Sequence, residues 1–414
     1  MTAIKTPQPK VPKLRFPEFK DEWKYSKIED LFQFKNGLNK EKEFFGKGTP
    51  IINFMDVYRL SSIKKQNIVG LVELEKAEKD RYSAKIGDVF FTRTSETIDD
   101  IGMTATLVEE IKDCVFSGFV LRARPYDKSF VPEFTSYLFS IASIRKEIVT
   151  KSSMTTRALT SGTLLNKVNF FYPQKLNEQQ KIANFLSVID AKIQALQQKE
   201  TLLKDYKKGV VQQIFSRTIR FKDTNGASFP DWEKTKLGKL LKQKSIRKGD
   251  SDINLILSVS NTKGFIPQSV QFDNHRVASK DVSNYKVVEK YDYAYNPSRI
   301  NVGSIAVLRD YEQGIVSPMY IIFELKKGLN IEFFDNLITT HLFKHLIKVG
   351  CSGSVRDSLN FNDLADFKVE IPCLEEQKLI AQFLTNLDAK IVQINTQKTN
   401  TEQFKKALLQ QMFV

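Results

Sequence analysis

Apolar residues return every seven positions through two stretches of the chain. Ile182, Ile189, Leu196, Leu203 and Val210 make one series; Ile380, Leu387, Ile394 and Leu408 make the other, with Thr401 as its one polar member. Such a period marks a long helix whose apolar seam seeks a second helix. Leu186, Ile193 and Ile214, and in the later stretch Leu384, Ile391 and Met412, widen each stripe. Pro173 and Pro372 stand just upstream and neither stretch contains a proline, so helices are predicted over 176–216 and 374–414. At 1.5 Å per residue each is a rod of about 60 Å. Asn177 and Gln180 are placed to form a capping box on the first.

Elsewhere the apolar positions fall into short runs divided by Gly, Asn and Ser. Those at 89–91, 168–171, 305–308 and 321–324 read as strands, and 134–149 and 333–349 as shorter helices. The expected fold class is α+β: a globule over 1–175, a helix over 176–216, a second globule over 217–373 and a helix over 374–414.

The two halves repeat one another. An offset of 198 pairs Leu176–Phe215 with Leu374–Phe413 without a gap, and 17 of the 40 positions are identical, so a module was duplicated. "EQQKIANFLSVIDAKI" from Glu178 answers "EQKLIAQFLTNLDAKI" from Glu376, and Lys207-Lys208 answers Lys405-Lys406. More faintly, "FKDEWKYSKIEDL" resembles "FPDWEKTKLGKL", aligning the two tryptophans, Trp23 and Trp232. "GDVFFTRTSETIDDIGMTATL" resembles "YDYAYNPSRINVGSIAVL", and the segments ending at Pro173 and Pro372 also correspond. The nearest partner for each helix is the other, so an antiparallel coiled coil is expected, with the halves in a pseudo-twofold, circular arrangement that returns Val414 to the start of the first globule; the alternative is that each helix simply covers its own globule.

Composition sharpens this picture. With 41% apolar and 11% aromatic residues the chain can bury several cores. No apolar run reaches membrane-spanning length and no secretory signal opens the sequence, so no membrane partner and a cytoplasmic location are expected. Pro7, Pro9, Pro12 and Pro17 suggest an extended leader. Cys114, Cys351 and Cys373 lack metal-site spacing. Net charge is +15, and the segments preceding the two helices hold +12 of it, which places any polyanion on the globules.

These features together resemble the specificity subunit of a type I restriction-modification system, and the resemblance covers the whole chain. It rests on two basic, dissimilar globules, each closing on a strand before a "P…EQ..IA.FL…DAKI" helix start. It implies a non-catalytic recognition subunit in a bacterial or archaeal cytoplasm, each globule a target recognition domain reading half of a bipartite, asymmetric double-stranded DNA site. It further implies that the helices dock two modification (methyltransferase) subunits and set the gap between half-sites. Restriction subunits would join the full complex. S-adenosylmethionine would then belong to the modification subunits, ATP and magnesium to the restriction subunits, and no cofactor to this chain.

Base readout needs Arg, Asn, Gln, Ser or Thr on exposed loops. Matching loops offer Arg93, Thr94 and Ser95 in the first half against Asn296, Ser298, Arg299 and Asn301 in the second. A further pair of loops offers Thr155, Thr156 and Arg157 against Ser352, Ser354 and Arg356. The alternative for each arginine is a surface ion pair or a strand-end hydrogen bond.

The alternative is a self-sufficient nucleic-acid-modifying enzyme with an unrecognised site. "YNPSR" at 295–299 approaches the [DN]-P-P-[YF] motif of amino-methyltransferases but lacks its second proline and aromatic residue, and no FxGxG loop precedes it. There is no GxxxxGK[ST] for ATP. His341 and His345 sit at metal-binding spacing without the glutamate of HExxH or an evident third ligand.

Overall fold

A computed structural model describes residues 11–271, 281–351 and 358–414. The chain divides into two units, one formed by residues 1–197 with 396–414 and the other by 198–395. Both predicted long helices are present: a central helix, Leu176–Phe215, and a C-terminal helix, Leu374–Met412. Each unit therefore contains one globule, the first half of the helix that follows it and the second half of the other helix.

In the first unit the main sheet has five strands, in the order Phe32–Asn36, Val120–Pro125, Val89–Thr92, Thr104–Leu107, Ser62–Ile63. Its pairings are antiparallel except for the last. The run Val89–Thr92 is buried throughout because the sheet is covered on both faces. Val89 and Phe91 face one core with Trp23, Phe134 and the helices, and Phe90 faces another with Phe116 and Ile52. A two-stranded ribbon, Lys24–Lys27 on Asn169–Tyr172, leads into the central helix.

Among the described residues the second unit repeats this plan with one strand fewer: Leu241–Lys244, Ile321–Leu325, Tyr293–Tyr295, Ile305–Val307. Its ribbon joins Glu233–Lys236 to Lys368–Ile371. Short helices fill the space beside each sheet. Where one continuous helix was predicted, the structure has two: Pro132–Leu138 and Ala142–Lys151, and likewise Ile331–Leu337 and His341–Cys351. Hydroxyls help make the break. Ser140 Oγ donates to the Tyr137 carbonyl, while Thr340 Oγ1 donates to the Leu337 carbonyl and accepts from the Phe343 amide.

Within each unit the helix segments run antiparallel. In the first, Gln197 meets Lys398, Asp190 meets Lys405, and Ile182 and Leu186 share a core with Leu408 and Met412. In the second, Lys207 meets Asp388, and Val210 and Ile214 share a core with Ile380 and Leu384. The end of the C-terminal helix closes the first globule: the Leu14 amide donates to the Gln411 carbonyl (2.9 Å) and Ser143 Oγ to the Val414 carbonyl (2.8 Å). Among the described residues no helix is long and apolar enough to cross a membrane.

Candidate nucleic-acid interface

The placement of the candidate loops depends on how firmly the globules are held, and the repeated residues hold them. Glu178 and Glu376, one turn into the two helices, are 2% and 0% exposed. Arg15 grips Glu178 with two bonds (Nε–Oε1 2.7 Å, Nη2–Oε2 2.9 Å), and the Trp23 indole donates a third (3.1 Å). Arg220 grips Glu376 in the same way (3.2 and 2.8 Å), with Trp232 donating at 3.2 Å. Paired and hydrogen-bonded in this way, a carboxylate tolerates burial.

The neighbouring glutamines are clamps. Gln179 accepts from the Val131 amide and donates to the carbonyls of Ser129 and Pro173. Gln377 does the same with Asn330, Gly328 and Pro372. Phe413 and Phe215 close the other end, each edge-on to its tryptophan with centroids 6.0 Å apart. The predicted capping box is absent: Asn177 lies inside the helix, its Oδ1 accepts from the Glu178 amide, and Gln180 bonds Asn184 instead. Starting the helix at Leu176 carries Glu178 and Gln179 to their partners.

In the first unit both sets of candidate residues come together. Thr94–Ser95 forms a three-stranded sheet with Ala158–Leu159 and Ser153–Met154, so Thr155, Thr156 and Arg157 are the exposed turn of a hairpin laid against Thr94 and Ser95. Arg157 pairs with Glu96 (3.1 Å) while both side chains remain largely exposed, a contact worth little in water and readily exchanged for another anion. Arg93 behaves differently: half-buried, it donates to the Gly118 carbonyl (3.0 Å), and its own carbonyl accepts from the Thr160 amide. A groove beside the hairpin is lined by Thr94, Ser95, Glu96, Asp100 and Arg157 and by the stacked rings of Phe54 and Tyr58, centroids 5.6 Å apart. The two rings were not singled out from the sequence; their i, i+4 spacing on the helix Phe54–Arg59 was the available signal.

In the second unit the matching loop is a compact turn after Tyr293–Tyr295. Asn296 Oδ1 accepts from the Ser298 amide (3.1 Å), and backbone bonds from Arg299 to Asn296 and from Ser304 to Arg299 close it. Gly303, at φ 96°, ends the turn in the left-handed region that favours glycine. Ser298, Arg299 and Asn301 are exposed, and Asn296 and Arg299 border a recess with Ser258, Ser317 and Tyr320. The Arg299 guanidinium has no hydrogen bond or ion pair among the described residues. Ser352, Ser354 and Arg356 lie outside them. His341 and His345 are exposed on their helix, and among the described residues no group of three or more His, Cys, Asp or Glu side chains is placed to hold a metal.

Comparison with known proteins adds to this geometry. A family model described as the type I restriction modification DNA specificity domain matches residues 20–205 and 230–402. A chain of Methanocaldococcus jannaschii assigned as the MjaX type I restriction enzyme specificity subunit is 24% identical over 429 residues, covering 96% of this chain and 94% of that one. The EcoKI specificity subunit of Escherichia coli is 27% identical over 124 residues, 29% of this chain and 25% of its own length. In fold, the chain resembles the crystal structure of the type I restriction-modification S subunit from M. genitalium, with a TM-score of 0.55 at 16% identity over 98% of this chain and 99% of that one.

Proposed function

The chain belongs to the type I restriction modification DNA specificity domain family, and from that premise we propose that it reads a split, asymmetric double-stranded DNA target, half through each unit, and docks two modification subunits. One observation carries the reading: two units of the same plan present different residues at the same loop. Thr94-Ser95 in one stands where Ser298-Arg299 stands in the other, after equivalent strands of equivalent sheets. A common scaffold with unlike tips suits two unlike half-sites.

The anchoring of the helices supports the same reading. Glu178, Gln179, Phe413 and their counterparts are consumed in fixing each globule to its helices. Other repeated residues, such as Ala191 and Lys192 with Ala389 and Lys390, are exposed in both copies and offer twice the same surface to twice the same partner. On this reading the subunit is non-catalytic. S-adenosylmethionine acts in the modification subunits, and ATP and magnesium in the restriction subunits, within a bacterial or archaeal cytoplasm.

Exchange of residues 1–175 for the first globule of another family member, followed by sequencing of methylated DNA in cells carrying the modification partner, tests the proposal. Only one half of the methylated motif should change; alteration of both halves defeats the modular reading. The homogeneous chain given S-adenosylmethionine and duplex DNA should transfer no methyl groups, and turnover would establish the enzyme alternative.

A further inference from the structure

Equivalent positions in the two units carry opposite electrostatics. Phe32–Asn36 pairs with Val120–Pro125 so that Lys35 faces Arg122, and Leu241–Lys244 pairs with Ile321–Leu325 in the same register so that Lys244 faces Ile322. Asp88 and Asp292 immediately precede the neighbouring strands. In the second unit the lysine is enclosed by acids. Asp292 accepts from it at 2.8 and 3.0 Å, Glu289 also accepts, and Glu324 lies at 4.0 Å. Burial works against the charge of Lys244, but its bonds with Asp292 and Glu289 outweigh that and raise its pKa.

In the first unit the same place is crowded with cations. Lys35 Nζ donates to the Arg81 carbonyl (2.5 Å), and Arg122 and Arg124 both donate to the Ser83 carbonyl oxygen (2.8 and 3.0 Å). Where unit two has Glu324, unit one has Arg124. Asp88 is the only acid paired with any of these four side chains among the described residues, and Arg124 takes both of its oxygens (2.7 and 2.6 Å). Arg122 is 4% exposed, and its Nε has no partner. Burial, then the charges of Arg122, Arg81 and Arg124, hold the pKa of Lys35 below its ordinary value. The rings of Tyr82 and Phe116 lie beside these cations without neutralising them. A buried guanidinium left unpaired among like charges is costly, and an anion held at the accessible Lys35 and Arg81 would offset that charge.

We propose that Lys35 and Arg81, backed by the buried charge of Arg122, form a phosphate-binding site that the first unit has and the second lacks. Guanidinium forks and an ammonium suit phosphate oxygens. On the reading given under Proposed function, which this step rests on, the ligand is a backbone phosphate of bound duplex. The site then contributes affinity without reading sequence.

Acetylation of the full chain by acetic anhydride, quantified residue by residue by mass spectrometry, is the test. Duplex DNA should slow modification of Lys35 severalfold and leave Lys244 unchanged. Protection by inorganic phosphate alone would keep the site but make its ligand a free ion. Lys35→Gln, shown by thermal denaturation to be folded, should reduce the slope of log affinity for duplex against log salt by about 1, for every sequence alike. Lys35 unprotected by either ligand, together with an unchanged salt slope in the variant, overturns the proposal. Failure of the native chain to bind duplex at all would instead remove the proposed function and leave the phosphate titration to decide the site.

Discussion

A buried carboxylate is stable only where donors replace the water it has lost, and Glu178 finds three, from Arg15 and Trp23. Glu178→Ala strands the Arg15 guanidinium in a half-enclosed site, and truncating one member of such a pair costs about 3–5 kcal/mol. Denaturant unfolding monitored in the first unit should show that loss; a change below about 1 kcal/mol would mean that Arg15 finds water instead. Gln179→Leu, which leaves the Val131 amide and two carbonyls unmatched, should cost about 1–3 kcal/mol for the donor alone. At the tips of the units the readout is specificity. Arg299 is unpaired among the described residues; if it reads a base edge as proposed, Arg299→Ala should cost about 1–3 kcal/mol at one base pair and leave the other half-site untouched. Loss spread evenly over all sequences, measured by binding to a panel of duplexes, would reassign Arg299 to phosphate.

At the level of elements, the repeated Asp of "DAKI" and the first Lys of the later pair meet across the helices: Asp190 with Lys405 (2.5 Å) and Asp388 with Lys207 (2.6 Å). Both pairs are partly exposed, so a double-mutant cycle on Asp190→Asn and Lys405→Gln should give a coupling of about 0.2–1 kcal/mol; a coupling of zero would leave register to the apolar seam alone. That seam was legible from its period of seven, because packing on another helix imposes the spacing on the sequence itself. The buried strand Val89–Thr92 was legible for a similar reason, being apolar on both faces. The breaks at Ser140 and Thr340 were not, because apolar residues continue across them and the interruption depends on side-chain hydroxyls meeting particular carbonyls. Nor could the cation cluster be read in advance. Lys35 and Arg122 become neighbours through strand register, and nothing local in either segment marks the other. Of the first candidate patch, the polar residues were visible as residue types on matching loops; the hairpin that sets Arg157 against Thr94 and Ser95, and the Phe54–Tyr58 wall, required the fold.

On the scale of the whole molecule, the first unit is discontinuous in sequence and the second is not. Leu408, Met412 and Phe413 sit in the first core with Trp23 and Phe134, and Phe413 stacks on Phe134 at 5.7 Å. Deleting 408–414 removes three buried side chains, each worth about 2–5 kcal/mol, against a domain stability of about 5–15 kcal/mol. Calorimetry should then lose the transition of the first unit and keep that of the second; retention of both would mean that the first globule holds without its closing residues. Synthesis adds a dimension of time to this layout. A chain leaves the ribosome in sequence order, so residues 198–395 are made while Trp23 and Phe134 still lack Leu408, Met412 and Phe413. If the ribosome stalls within the second unit, the released product carries an open apolar surface, the kind of exposure that proteases and chaperones act upon. Only translation past Phe413 brings that ring against Trp23 and Phe134.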